Sequence, residues 1–169
     1  MGLLQMIANA FGFSRRQARV LVIGLDNSGK TTLINHLNPT KKSVSAEVTP
    51  TVGFQVEEFT KGSINFTVYD MSGQGRYRNL WETYYADVEA IIFVLDSTDK
   101  VRMCVAKDEL DQLLNHADIK ASLCPMLFFA NKVRSQVNYT FSLSLFVYRI
   151  DSLLTPPPFI SLSLLVDRK

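Results

Sequence analysis

The order of apolar and polar positions divides the chain into short alternating elements. An apolar, β-branched run at residues 20–25, with Gly24 near its end, predicts a buried strand, and a helix follows from about Lys30 to Leu37. After a polar stretch at 38–49, Phe54 and Val56, then Ile64, Phe66 and Val68, alternate with more polar neighbours around Gly62. That period of two predicts paired strands with a turn between them. Residues 90–95 form a fourth apolar run, and 125–130 predict a fifth strand. Between them Val101, Val105, Leu110, Leu113 and Leu114 have helical spacing. Strands alternating with helices imply an α/β fold, a mostly parallel sheet flanked by helices on both faces.

The order breaks after Lys132. All eight glycines lie at or before Gly75, and the last stretch is rich in Ser and Leu, holds Pro156-Pro-Pro158 and carries only Asp151 and Asp167 as acids. Phe141-Ser-Leu-Ser-Leu-Phe146 and the segment 159–166 both alternate, which predicts short strands with no partner visible in the sequence.

At 169 residues the chain has the length of one domain, and 47% apolar against 20% charged residues excludes wholesale disorder. Eighteen basic against sixteen acidic residues, net +2, is far from the balance of a dedicated nucleic-acid binder. Cys104 and Cys124 form no C-x-x-C pair and suggest neither a disulfide framework nor a zinc site, so a reducing, cytoplasmic compartment fits. No run reaches the roughly 18 apolar residues of a membrane-spanning helix.

Gly24-Leu25-Asp26-Asn27-Ser28-Gly29-Lys30-Thr31 matches G-x-x-x-x-G-K-[ST] between a predicted strand and a predicted helix, the setting of a phosphate-binding loop. Backbone N–H groups turn inward around phosphate oxygens there, helped by the helix dipole. Lys30 adds a point charge, the Thr31 hydroxyl is suited to Mg²⁺, and Thr32 follows on the same turn. Asp70-Met-Ser-Gly73-Gln74 is the second constellation. A carboxylate at a strand end can hold Mg²⁺ through water, Gly73 can approach a γ-phosphate with its N–H, and Gln74 can orient an attacking water. Thr51, in Thr49-Pro-Thr-Val-Gly53, lies on a loop that can complete the Mg²⁺ shell only while a γ-phosphate is present. A phosphate-loop kinase or ATPase is the other reading of the first motif alone.

With these residues the chain resembles the ADP-ribosylation-factor (Arf) family of small GTPases. The likeness rests on Gly24 to Thr31, Pro50-Thr-Val-Gly-Phe54, Asp70-Met-Ser-Gly-Gln-Gly-Arg-Tyr-Arg-Asn-Leu-Trp81 and Leu127-Phe-Phe-Ala-Asn-Lys132, and covers about residues 1–132. It implies a P-loop fold of small-GTPase type at 20–132 and GTP or GDP as ligand. It makes Lys30 a β/γ-phosphate ligand, and Thr31, Thr51 and Asp70 the Mg²⁺ site. Gly73 becomes the γ-phosphate sensor and Gln74 the catalytic, water-positioning residue. It places Phe54, Tyr69, Trp81 and Tyr84 on an effector surface, for which plain core or sheet packing is the alternative. It implies slow hydrolysis and an exchange factor and activating protein as partners. It also implies a membrane-recruited role in trafficking, with a BBSome-type coat at the cilium as effector.

Asn131-Lys132 looks like the start of that family's guanine-reading motif, Asn-Lys-x-Asp, but Val133 and Arg134 follow. A guanidinium accepts no hydrogen bond, so the missing carboxylate is expected to cost roughly 3 kcal/mol of guanine affinity, about a hundredfold. Residues 133–169 are read as a divergent tail, such as an altered splice would attach, replacing the family's last strand and helix. Loss of that strand is expected to leave an edge and an apolar sheet face that the tail must patch. The second reading is therefore a nucleotide-impaired protein acting as a binding module.

Residues 1–19 are read as an amphipathic amino-terminal helix and linker. Leu3, Leu4, Ile7, Phe11 and Phe13 make an apolar stripe followed by Arg15, Arg16 and Arg19, which suits a membrane interface or, equally, the protein's own core. Gly2 follows Met1 as acylation requires, with Met6 where the consensus has Ser or Thr. Asp26 puts a carboxylate near the triphosphate, a reason to expect slow hydrolysis. His36 and His116 read as surface helix residues, and Cys104 and Cys124 as small packed hydrophobes.

Overall fold

A computed structural model describes residues 17–41, 49–122, 124–132 and, as backbone, 145–148. The amino-terminal helix with Gly2, positions 133 and 134, and the segment 159–166 lie outside the described residues.

Strands β1 (Gln17–Ile23), β2 (Phe54–Lys61), β3 (Ile64–Met71), β4 (Ala90–Asp96), β5 (Met126–Asn131) and β6 (Leu145–Tyr148) form one sheet in the order β2-β3-β1-β4-β5-β6. β1 runs parallel to β3 and β4, and β5 parallel to β4, while β2 and β6 are antiparallel to their neighbours. Helices α1 (Lys30–Leu37), α2 (Met103–Asn115) and α3 (Ala117–Ala121) complete it, with two short 3₁₀ segments, Gly75–Leu80 and Glu82–Tyr84.

Successive side chains of a strand face opposite ways, so the unbroken apolar run of β1 serves two cores. Val20 and Val22 pack with Ile34, Leu37, Phe66 and Ile92 on one face, and Leu21 and Ile23 pack with Trp81, Phe93, Leu113 and Ile119 on the other. The chain leaves β1 for β2 and β3 on one side and returns to β4 on the other. The reversal opens a crevice at the carboxyl ends of these strands, where an open α/β sheet takes its ligands.

Away from the site, the structure departs from the sequence expectations at Val101, Cys104 and His116. α2 begins at Met103, and Val101, 87% exposed, stands in the preceding turn rather than on the buried face. Asp99 accepts from the Arg102 N–H at 3.1 Å and sets that start. Phe54 and Val56 face outward at 43% and 47% exposure, in keeping with a surface position for Phe54, and in β2 only Phe59 is buried, stacked on Phe66 at 5.6 Å. Cys104 is exposed, unlike the buried Cys124. His116 caps α3 with Nδ1 on the Asp118 N–H and meets Tyr85 edge-on at 5.0 Å, so it joins two elements instead of decorating one.

The partner for the tail's first alternating segment is β5. Leu145–Tyr148 pairs with it antiparallel, Leu145 opposite Phe129 and Tyr148 opposite Met126. An open edge of β5 would present unpaired N–H and C=O groups, and β6 supplies their partners over four residues.

Candidate functional site

Between the end of β1 and the start of α1 the backbone must turn within residues 24–29. It does so with positive φ at Gly24 (137°), Asn27 (63°) and Gly29 (93°). Glycine is required at two of them for lack of space as well as for φ. A Cβ on Gly24 would stand 2.2 Å from the Val94 carbonyl oxygen, and one on Gly29 would stand 2.3 Å from Asn131 Nδ2. The loop is thereby pressed onto β4 and β5, and the amino end of α1 faces the crevice with its dipole.

Behind the loop, Asn131 Nδ2 donates to the Ser28 carbonyl at 2.8 Å, and Lys132 Nζ donates to the Asn27 carbonyl at 2.6 Å and to Asp96 Oδ2 at 2.8 Å. The two residues expected to read a base thus brace the phosphate loop. Burial pushes the Asp96 carboxyl up, but hydrogen bonds from Lys132 and Thr98 outweigh it and the net direction is down. Within the loop, Leu25 and Ser28 are buried.

In front of the loop lies a cavity of about 400 Å³, lined by Asp26, Asn27, Gly29, Lys30, Thr31 and Thr32, by Thr49 to Thr51, by Ser72 to Gln74, and by Lys132. Four segments far apart in sequence meet there. Thr31 Oγ1 donates to Asp70 Oδ2 at 2.6 Å and lies 3.1 Å from Thr51 Oγ1. Asp70 Oδ1 is buried without a hydrogen-bond partner among the described residues. Burial raises the Asp70 carboxyl above the usual range, with the Thr31 hydroxyl and the Lys30 charge opposing. Converging hydroxyl and carboxylate oxygens with an unsatisfied lone pair are what a hard divalent cation takes, so these residues fit Mg²⁺.

Lys30 is 6% exposed, and its Nζ donates to the Gly24 and Leu25 carbonyls, each at 2.9 Å. Burial lowers its pKa to about 8, with the Asp70 and Asp26 carboxylates pulling it up and Arg78 pushing it down. The Asp26 carboxylate does not stand free before the cavity, as the sequence suggested. Arg102 NH1 donates to it at 2.8 Å, and Arg78 NH2 is 3.9 Å away. Gln74 Oε1 accepts from Arg76 at 3.1 and 3.3 Å.

Of the four aromatics expected on one surface, three meet. Tyr84 is 5.4 Å from Phe54 and 4.9 Å from Tyr69 between ring centroids, and Val56, opposite Tyr69 in the sheet, extends the exposed patch at 47%. Trp81 departs from them. It is 2% exposed in the core, with its indole N–H on the Ser72 carbonyl at 3.0 Å, because its ring fills the second core cluster. Arg102 and Glu109 had no motif to reveal them, and Arg78, though inside the stretch Asp70 to Trp81, had no role assigned there. Val56, in phase with Phe54 on β2, was the one legible sign of the patch's extent.

Residues 3–144 match the profile of the ADP-ribosylation factor family. The chain is 57% identical over 133 residues to ADP-ribosylation factor-like protein 6 of Danio rerio, covering 79% of this chain and 71% of that protein. It is 43% identical over 133 residues to the protein of the same name from Caenorhabditis briggsae, covering 79% of this chain and 70% of the relative. Among solved structures it resembles the Arl6 BBS3 small GTPase from Trypanosoma brucei with bound nucleotide analogue GppNp, with TM-score 0.61 and 48% identity, over 69% of this chain and 67% of that one.

Proposed function

Because the chain belongs to the ADP-ribosylation factor family of small GTPases, whose members hydrolyse GTP, we propose that it is a Mg²⁺-dependent switch that binds GTP and GDP in the cavity before the phosphate loop. The observation that carries this is the meeting of Thr31, Thr51 and Asp70 oxygens from three separate segments beside Lys30. In this reading Lys30 leaves the Gly24 and Leu25 carbonyls for β- and γ-phosphate oxygens. Gly24 to Gly29 and Thr32 line the phosphates, Thr31, Thr51 and Asp70 hold Mg²⁺, Gly73 donates its N–H to the γ-phosphate, and Gln74 orients the attacking water. Mg²⁺ held by these residues would supply positive charge against the negative charge of phosphoryl transfer. Thr51 sits on a loop, so its grip depends on which nucleotide is present, which makes a switch.

Hydrolysis is slow in this reading because the Gln74 side-chain oxygen Oε1 is held by Arg76, and an activating protein must release it. Phe54, Tyr69 and Tyr84 make the effector surface, and the amino-terminal segment, with Gly2 as an acylation site, meets the membrane. The likeness to proteins named ADP-ribosylation factor-like protein 6 supports ciliary membrane trafficking with a BBSome-type coat as the partner, and an exchange factor completes the cycle.

The test is binding of a fluorescent GDP analogue to the full chain with and without Mg²⁺, displaced by GTP or ATP. GTP is expected to displace at least about tenfold better than ATP. A second reading, a nucleotide-impaired binding module, rests on Arg134 in place of the guanine-reading carboxylate. Equal displacement by ATP would favour it.

Asp70→Asn is expected to abolish the Mg²⁺-dependent gain in nucleotide affinity while raising the melting temperature of the metal-free chain at neutral pH. The sign follows from burial. Where the folded pKa lies above the unfolded one, stability is lost as pH rises through the carboxylate range, and an amide escapes that loss. Thermal melts of both proteins in chelator check it, and a metal-free Asp70→Asn variant melting below the parent would overturn it.

A further inference from the structure

We infer that Trp81 and Arg78 are positioning residues that pin the two peptide planes flanking Gly73 and so aim its N–H at the terminal phosphate. This rests on the reading of the cavity as a triphosphate site.

β3 ends at Met71, and the next residue is tied on both sides: the Ser72 N–H donates to the Gly53 carbonyl at 2.8 Å, and the Ser72 carbonyl accepts from Trp81 Nε1 at 3.0 Å. The Gly73 carbonyl accepts from Arg78 Nε at 2.7 Å. In a planar trans peptide the C=O and the following N–H point opposite ways. Fixing the Ser72 carbonyl toward the core therefore turns the Gly73 N–H away from the core, on the side where Gly73 lines the cavity. Among the described residues that N–H has no backbone acceptor. Fixing the Gly73 carbonyl sets the Gln74 N–H in the same way.

Both anchors are held in turn by their own contacts. Trp81 is enclosed by the core with Leu21, Ile23, Met71 and Phe93. Arg78 gives its NH1 to Glu109 Oε1 of α2 at 2.7 Å, with both side chains largely covered. The local sequence explains why the two converge. The segment Gly75–Leu80 is a 3₁₀ helix, and in that helix residues three apart eclipse, so Arg78 and Trp81 return to the same stretch of chain. A Cβ at Gly73 would stand 2.1 Å from the Asp26 nitrogen, so the backbone of the phosphate loop is a wall directly against Gly73. Gly73 is held between a clamp and a wall.

The experiment uses the full chain and its Trp81→Phe and Arg78→Lys variants, with affinities for GDP and for a non-hydrolysable GTP analogue measured in Mg²⁺. Amide exchange at 72–75 and melting temperature are measured alongside. Phe keeps most of the ring and loses the N–H; Lys keeps the charge and loses the planar fork that reaches Gly73 and Glu109 together. Each variant is expected to lower the ratio of triphosphate to diphosphate affinity about tenfold and to speed exchange of the Gly73 and Gln74 amides. A fall in melting temperature with the ratio unchanged would mean a packing role only and overturn the inference. If Trp81→Phe does not fold, Arg78→Lys decides, and a lysine that keeps the ratio overturns the role of Arg78. If the parent itself prefers neither nucleotide, the triphosphate reading falls and the clamp's function with it. If the parent discriminates and both variants do too, the clamp alone falls.

Discussion

Lys30→Met is expected to lower GTP affinity by about 3 kcal/mol or more, a hundredfold at least, because it removes the one cation buried within the phosphate loop itself. The same change alters stability with a distinct pH signature. The folded pKa of Lys30, about 8, lies below the ordinary lysine value of 10.5. The unfolded chain therefore binds more protons between those values, and the parent gains stability as pH rises through them, by an amount on the order of 3 kcal/mol. Methionine has no such dependence. The urea midpoint of the parent is expected to rise against that of the methionine variant between pH 8 and 10.5. At pH 7 the two effects oppose each other. The methionine variant sheds a charged buried amine, yet leaves the Gly24 and Leu25 carbonyls without their donor. Parallel curves across that window would show that Lys30 is solvated in the folded protein.

Gly24→Ala is expected to cost about 4 kcal/mol or more and to broaden or abolish the unfolding transition. Two penalties coincide there. The φ of 137° lies where an L side chain is strained, and the new methyl carbon would sit 2.2 Å from the Val94 carbonyl oxygen in the middle of the sheet. Neither β1 nor β4 can retreat, because both are buried on their two faces. Two other glycines separate the causes. Gly53 has φ 70° but nothing within 4 Å of a Cβ, so Gly53→Ala is expected to show backbone strain alone, about 1 kcal/mol. Gly75 has open space and no positive φ, so Gly75→Ala is expected to be within about 0.5 kcal/mol of the parent. Denaturant titrations of the three variants check the order, and a Gly24→Ala chain as stable as Gly75→Ala would show that β4 does yield.

Trp81 illustrates where reading the sequence stops. Its place in a motif suggested an exposed aromatic, as for Phe54, Tyr69 and Tyr84, yet a large ring with one polar edge is also the natural filler of a core beside a buried carbonyl. The pattern around it does not distinguish the two, because the 3₁₀ turns at Gly75–Leu80 and Glu82–Tyr84 carry no amphipathic period. Asp26 misled in the same way. From the sequence it is a loose carboxylate beside phosphates. Its actual partners, Arg102 and Arg78, lie far along the chain and are brought to it only by the packing of α2 and the 3₁₀ segment Gly75–Leu80 on the sheet.

Local chemistry determined the parts whose causes are local. The β-branched runs made strands, the glycines at 24 and 29 and the Lys-Thr pair after them made a phosphate loop before a helix, and the alternation at 64–68 set the buried face of β3. The tertiary structure alone decided which side chains share a site. Thr31 to Asp70, Arg78 to Glu109, and Asn131 to Ser28 depend on sheet order and strand register. The pairing of the tail at Leu145–Tyr148 with β5 is of that kind too. A strand's sequence states that it has an edge to satisfy, but the hydrogen bonds that satisfy it belong to whichever backbone the rest of the fold leaves beside it.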